Sequence, residues 1–312
     1  MYIMISLIIM GITLLLGGIF FMRLGLQKLL LNKIKHLLQQ LTKQPWRGVL
    51  FGTFAAAVMQ SSTAVSLLTI GFVSAEYLSF YQGLGIILGA NIGTCSTVQL
   101  MTLSIPEEVF LPFLLITVII SLTIKKLRYI GMAISGLLSM FLGLTILSDT
   151  LGNLSEMSTV IEYLVAAKEN PLYGIIGGII MTLLFQSSSA ATGVIMILAT
   201  DGIIDLTTAA YVVYGNNIGS CLSSIVVGAA GTLAAKRVAA AHVLLNVLGV
   251  LFFLPLTNVL TKTATYITVD FAGQVAVLHT IFNILSSLAI LPIIRQYANL
   301  IIFLVPNKRE WR

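Results

Sequence analysis

Charge is what this sequence has least of: Asp, Glu, Lys and Arg make up 9% of its 312 residues against 58% hydrophobic ones, and the mean hydropathy is +1.03. So few charges cannot cover a soluble globule, so the composition excludes that class and fits a polytopic membrane protein. Cysteine is nearly absent. Cys95 and Cys221 lie inside apolar segments and read as small packing residues, not as a disulfide or a metal pair. The 17 Lys and Arg fall between the apolar runs, where they set topology, so the net charge of +6 does not point to nucleic acid. The first apolar run, residues 2–22, lacks a basic leader and a cleavage site, is too long for a signal-peptide core, and is expected to stay as a membrane helix. The length leaves room for one membrane transport domain, residues 1–312, with no second globular one.

What the chain does carry, it carries twice. Gln60-Ser61-Ser62-Thr63-Ala64 returns 126 residues later as Gln186-Ser187-Ser188-Ser189-Ala190, and the same offset takes Gly89-Ala90-Asn91-Ile92-Gly93-Thr94-Cys95 onto Gly215-Asn216-Asn217-Ile218-Gly219-Ser220-Cys221. Aligned without a gap, residues 45–97 and 171–223 agree at 12 of 53 positions, and the agreements are mostly Gln, Ser, Asn, Gly and Pro. Shared hydrophobicity would match Leu and Val instead. Uncharged polar clusters are costly in hydrocarbon unless they line a site, so the repeat reads as a duplicated polar site.

A membrane span takes about 20 apolar residues, and the candidates are 2–22, 48–73, 80–104, 109–124, 129–147, 174–199, 207–231, 238–258 and 272–294. Basic clusters follow the first span (Arg23 to Arg47), then at Lys125, Lys126 and Arg128, at Lys236 and Arg237, and at Arg295, Lys308, Arg309 and Arg312. The positive-inside rule places all four in the cytoplasm. That is possible only if 48–73 and 174–199 enter and return as re-entrant helical hairpins, with Gln60 and Gln186 at their tips. Glu107 and Glu108 and the external linker, about 148–170, then lie outside, the N-terminus outside and the C-terminus in the cytoplasm. Three full crossings separate equivalent positions, so repeat 1 (about 45–147) and repeat 2 (about 171–295) have inverted topology, a plan of secondary transporters. The expected fold is an all-α polytopic membrane protein, each repeat a Gln-Ser-Ser-tipped hairpin followed by a transmembrane helix. An ordinary helix with serines bonded to its own carbonyls is the plainer reading of each tip.

At a broken helix, free N–H groups and the positive end of the following dipole favour an anion, and free carbonyls of the preceding half favour a cation. Ser61, Ser62, Ser187 and Ser188 add hydroxyls that donate to one or accept from the other. No Lys or Arg occurs within 48–103 or 174–235. A multivalent anion entering there needs co-bound cations, which is the physical case for symport. Asn91 with Thr94, and Asn217 with Ser220, offer oxygens suited to Na⁺, and interhelical packing is their plainer reading. His242-x-x-x-Asn246 and His279-x-x-x-Asn283 share helix faces and are given no transport role. Asp201 and Asp205 read as loop residues, and His36 as part of an interfacial helix within the basic stretch.

These motifs, with the His-x-x-x-Asn helices after them, resemble the type II sodium-dependent phosphate cotransporter family over about residues 48–292. The resemblance implies sodium-coupled symport of inorganic phosphate across the cytoplasmic membrane, not enzymatic activity. It implies that the anion is bound between two hairpin tips by Gln60, Ser61, Ser62, Thr63, Gln186, Ser187, Ser188 and Ser189, and Na⁺ by Asn91, Thr94, Asn217, Ser220, Ser62 and Ser188. No organic cofactor is implied, and the partners are phosphate, Na⁺ and the lipid bilayer. Thr63 departs from the family's serine, keeping the hydroxyl but stiffening χ1. Many bacterial relatives continue into a cytoplasmic regulatory domain, whereas this sequence stops six residues after Pro306, so such control is expected from elsewhere. The alternatives are a transporter or exporter of another oxyanion such as sulfate or arsenate, a lipid-binding or scaffold protein, and an intramembrane serine hydrolase pairing Ser61 or Ser187 with His242 or His279.

Overall fold

A computed structural model describes residues 2–41, 44–103, 107–151 and 166–307. The regular structure among them is helical: α1 (Tyr2–Leu41), α2 (Pro45–Met59), α3 (Ser62–Ser74), α4 (Phe80–Gly93), α5 (Cys95–Leu100), α6 (Glu107–Thr123), α7 (Arg128–Leu151), α8 (Pro171–Phe185), α9 (Ser188–Thr200), α10 (Leu206–Ser220), α11 (Leu222–Ala230), α12 (Leu233–Phe253), α13 (Thr257–Ile267), α14 (Phe271–Ile290) and α15 (Ile294–Leu304). Among the described residues, six stretches are long and apolar enough to cross a membrane: Ile3–Leu29, Phe80–Leu100, Arg128–Thr150, Leu206–Ala230, Leu233–Ile267 and Phe271–Ile290.

Two elements run further than the sequence suggests. Helix α1 continues past Met22 to Leu41 without giving way to a separate surface helix, because residues 23–41 contain no proline and are rich in Leu, Lys and Gln, all good helix formers. The side chain of His36 lies outside the described residues, as does most of the linker 148–170. Beyond Asn258, the expected end of a span, α13 carries on, joined to α12 through a tight turn, Leu254–Leu256. Pro255 at its centre has no N–H to give the helical ladder, which accounts for the tightening.

The described chain divides into two compact units. The first takes residues 1–32, 97–216 and 257–279. In it, α1 and α7 meet through glycines seven residues apart, Gly11 facing Gly143, Gly18 facing Gly136, and Gly25 the backbone of Tyr129 and Ala133. A methyl group added at Gly25 would sit 2.6 Å from the Tyr129 carbonyl oxygen. Seven residues are close to two turns, so the glycines form one stripe along which the backbones touch. The second unit takes residues 33–96, 217–256 and 280–312. There α2 lies against α4, Gly52 facing the Ile86 carbonyl and Gly89 the Val49 carbonyl. Within the first unit α8 and α10 repeat this contact at the 126-residue offset, Gly178 facing the Val212 carbonyl and Gly215 that of Ile175.

The local chemistry of each broken helix also repeats. Pro45 and Pro171 open α2 and α8, at the position where a missing N–H costs nothing. Each helix ends on a left-handed glutamine, Gln60 at φ 49° and Gln186 at φ 51°. Serine then caps the next helix: the Ala64 N–H donates to Ser61 Oγ at 3.1 Å and the Ala190 N–H to Ser187 Oγ at 3.3 Å. The exits match too, with left-handed residues at Glu76 (φ 61°) and Gly202 (φ 71°) and caps at Ser79 and Asp205. Burial pushes the Asp205 carboxyl up, but bonds from Thr208 and the ion pair with Lys168 at 3.3 Å outweigh it and hold it below the usual carboxylate range. Asp201 is raised by burial, with Asp149 adding to the shift and the Ser148 hydroxyl opposing it.

Candidate functional site

Within the second unit the first tip and the first Asn-Ile-Gly motif come together. Gln60, Ser61 and Ser62 are buried, and the Ser62 N–H, the first of α3, donates to Thr94 Oγ1 at 3.3 Å. Gln60 Nε2 donates to the Ala57 carbonyl and, at 3.3 Å, to Ser96 Oγ. Asn91 spends its amide nitrogen on Ser287 Oγ (3.2 Å) and the Asn283 carbonyl (3.5 Å), which leaves its Oδ1 as the free end of the side chain. Thr63 is half-buried on the first turn of α3. Ser96 and Ser287 went unmarked in the sequence, Ser96 because repeat 2 has Leu222 there and Ser287 because 196 residues separate it from Asn91.

Asn217 and Ser220 belong to this unit as well, and their neighbourhood is a packed polar cluster. The Ser220 hydroxyl donates to the Asn217 carbonyl at 2.7 Å, and Cys221 Sγ faces the same oxygen at 3.3 Å. Asn246 Nδ2 reaches Cys221 Sγ and the His242 carbonyl, both at 3.1 Å, while His242 Nδ1 lies 2.9 Å from Ser224 Oγ. His242 thus pairs with Ser224, and Ser61 with the end of its own helix. Cys95 and Cys221 are both buried free thiols.

In the first unit the second tip is built differently. Gln186 is exposed, Ser187 and Ser188 are half-buried, and Ser189 is buried. Gln186 Nε2 donates to the Leu183 carbonyl at 2.6 Å. Behind the tip, fully buried Asn216 accepts from Thr182 Oγ1 and donates to Thr192 Oγ1, both at 3.2 Å, and Thr192 Oγ1 donates to the Ser188 carbonyl at 2.8 Å. One amide thereby ties α8, α9 and α10 together. Repeat 1 has Ala56, Ser66 and Ala90 at these places, and Ser66 Oγ is buried without a partner. Asn216→Ala is expected to lower stability by roughly 1–3 kcal/mol, the cost of stranding buried partners. The triple change Thr182→Ala, Thr192→Ser, Asn216→Ala, which installs the repeat 1 side chains, is expected to cost less than the single one. Thermal unfolding in detergent compares them, and a triple variant weaker than the single would refute the network.

Chemically, both tips present hydroxyls and the N-terminal ends of 13-residue helices, α3 and α9, with no basic side chain within 48–103 or 174–235. Among the described residues no three His, Cys, Asp or Glu side chains gather as a metal site. The oxygens on offer are hydroxyl and amide ones.

The Na⁺/Pi-cotransporter family matches residues 14–149 and 151–282. The chain belongs to that family. With its apolar helices, it is a multi-pass membrane protein. It is 31% identical over 295 residues to "Uncharacterized protein YqeW" of Bacillus subtilis (strain 168), covering 94% of this chain and 95% of that one. It is 26% identical over 259 residues to "Putative inorganic phosphate export protein YjbB" of Escherichia coli (strain K12), covering 81% of this chain but only 47% of the relative. A shorter match, 37% identity over 93 residues, covers 28% of this chain and 14% of "Sodium-dependent phosphate transport protein 2A" of Oryctolagus cuniculus. No solved structure matches the chain.

Proposed function

We propose that this protein carries inorganic phosphate across the cytoplasmic membrane in symport with Na⁺. The observation that carries the reading is the duplicated tip: the same left-handed glutamine, the same serine cap and the same 13-residue helix after it recur at Gln60–Ser62 and Gln186–Ser188 in a member of the Na⁺/Pi-cotransporter family. In this reading Gln60, Ser61, Ser62, Thr63, Gln186, Ser187, Ser188 and Ser189 supply the anion's ligands. Asn91, Thr94, Asn217 and Ser220, with Ser62 and Ser188, supply oxygens to Na⁺, whose charge replaces that of the missing Lys and Arg. The free Oδ1 of Asn91 supports a cation nearby. The whole chain acts as one transport domain with inverted repeats and re-entrant tips, and the basic clusters place its C-terminus in the cytoplasm.

A second reading concerns direction only. The name of the Escherichia coli relative speaks of export, so the same machinery running outward is the alternative. Proteoliposomes containing the purified chain test both. Radiolabelled phosphate uptake is expected to require an inward Na⁺ gradient over a matched K⁺ gradient and to resist excess sulfate, and phosphate-loaded vesicles report the outward mode. No Na⁺-dependent flux in either direction from folded protein would refute the coupling, and full competition by sulfate would refute the substrate.

A further inference from the structure

In the first unit a cavity of about 360 Å³ opens between α1, α6 and α7, lined by Phe21, Val118, Leu122, Arg128, Met132 and three serines, Ser121, Ser135 and Ser139. Its shape follows from side-chain size. Ser135, Gly136 and Ser139 are small and leave a slot along α7, while Phe21, Val118, Leu122 and Met132 wall it with hydrocarbon. Ser121 and Ser135 turn their protons to the carbonyls of their own helix, Val118 at 2.8 Å and Met132 at 3.2 Å, so these two hydroxyls are not stranded donors in the slot. From Arg128 to Ser139 the lining runs 11 residues, about 16 Å along the helix axis.

One end of this slot is strongly basic. Lys125 and Lys126 in the turn joining α6 to α7 and Arg128 at the start of α7 are all exposed, and that turn holds no acidic residue. An apolar slot of this length with cations at a single end matches an amphiphile whose charge is negative and whose tail is hydrocarbon. A free phosphate would use the basic end and leave the apolar walls unoccupied. The positive-inside rule puts this turn at the cytoplasmic leaflet, where basic pockets between membrane helices take up anionic headgroups.

We infer that this cavity is a binding site for one anionic phospholipid, its phosphate at Arg128 with Lys125 and Lys126, and one acyl chain along Met132, Ser135 and Ser139. The exposed outer face of α6, with Leu115, Ile119 and Leu122, gives the lipid direct access from the bilayer. The site is independent of the tips and of what they carry.

Native mass spectrometry of the delipidated protein, titrated with phosphatidylglycerol or phosphatidylcholine of the same chains, tests it. The intact protein is expected to retain one phosphatidylglycerol at least tenfold more tightly than phosphatidylcholine. Arg128→Gln is expected to weaken that by about fivefold, the loss that one basic side chain near an anionic surface carries. Ser139→Leu, which fills the slot and leaves the charges, is expected to weaken it as well. Lys236→Gln, beside a separate apolar cavity lined by Val243 and Leu304, serves as the control and is expected to change nothing. Equal retention of the two lipids would overturn the site, as would loss in the Lys236 variant equal to that in the Arg128 variant. Displacement by inorganic phosphate would assign the basic end to a free anion, and protection of a Ser121→Cys label by self-association would assign the slot to a second copy; either overturns the lipid.

Discussion

Gly89→Val and Gly215→Val each lower the stability of the protein by at least about 3 kcal/mol, the upper end of what over-packing usually costs. The reason is where the added carbon goes. A methyl group at Gly89 points into the Val49 carbonyl oxygen, and one at Gly215 into that of Ile175. Both obstacles are backbone in the middle of a helix, so no rotamer change relieves them, and α2 must leave α4, or α8 must leave α10. Gly71 makes the comparison sharp. It lies in α3 with nothing within 4 Å of an added carbon, so Gly71→Ala is expected to raise stability by roughly 0.5–1 kcal/mol through backbone entropy alone. Unfolding temperatures in detergent should fall sharply for the first two variants and rise slightly for the third. If Gly89→Val unfolds no earlier than Gly71→Ala, the close backbone contact does not exist in solution.

Those two glycines also show how far the sequence could be read. Gly89 stood out because Gly215 repeats it, and repetition marks a position whose chemistry is needed twice. The same logic located both glutamine-serine breaks, which the backbone confirms as left-handed residues followed by capped helices. Repetition is blind to what one repeat has alone. Asn216 was overshadowed by Asn217 because repeat 1 has Ala90 at its place, and only the buried contacts with Thr182 and Thr192 give it a role. Long-range partners were equally illegible, since nothing local to Asn91 announces Ser287. The unbroken run of α1 to Leu41 was missed for a different reason: a change from apolar to basic residues marks a change of solvent, not the end of a helix.

The other large effect separates two adjacent serines at each tip that the sequence treats alike. Ser61 Oγ and Ser187 Oγ are occupied as caps, accepting from Ala64 and Ala190, so Ser61→Ala and Ser187→Ala should cost about 1 kcal/mol of stability. Ser62 and Ser188 stand at the first helical position, where that cap is already made, and their hydroxyls are left for a ligand. If the tips hold phosphate, Ser62→Ala or Ser188→Ala removes a hydrogen bond to a charged group, worth about 1.5–3 kcal/mol, which is roughly a ten- to hundredfold loss of transport efficiency. The unfolding temperature should stay unchanged in both. Transport and stability measured on the four variants therefore dissociate: the cap variants lose stability first, the neighbouring ones transport first. Unaltered phosphate kinetics in both Ser62→Ala and Ser188→Ala would remove the tips from the anion's path. Loss confined to one of them would mean that buried Ser62 and half-exposed Ser188 do unequal work, an asymmetry that their surroundings already carry.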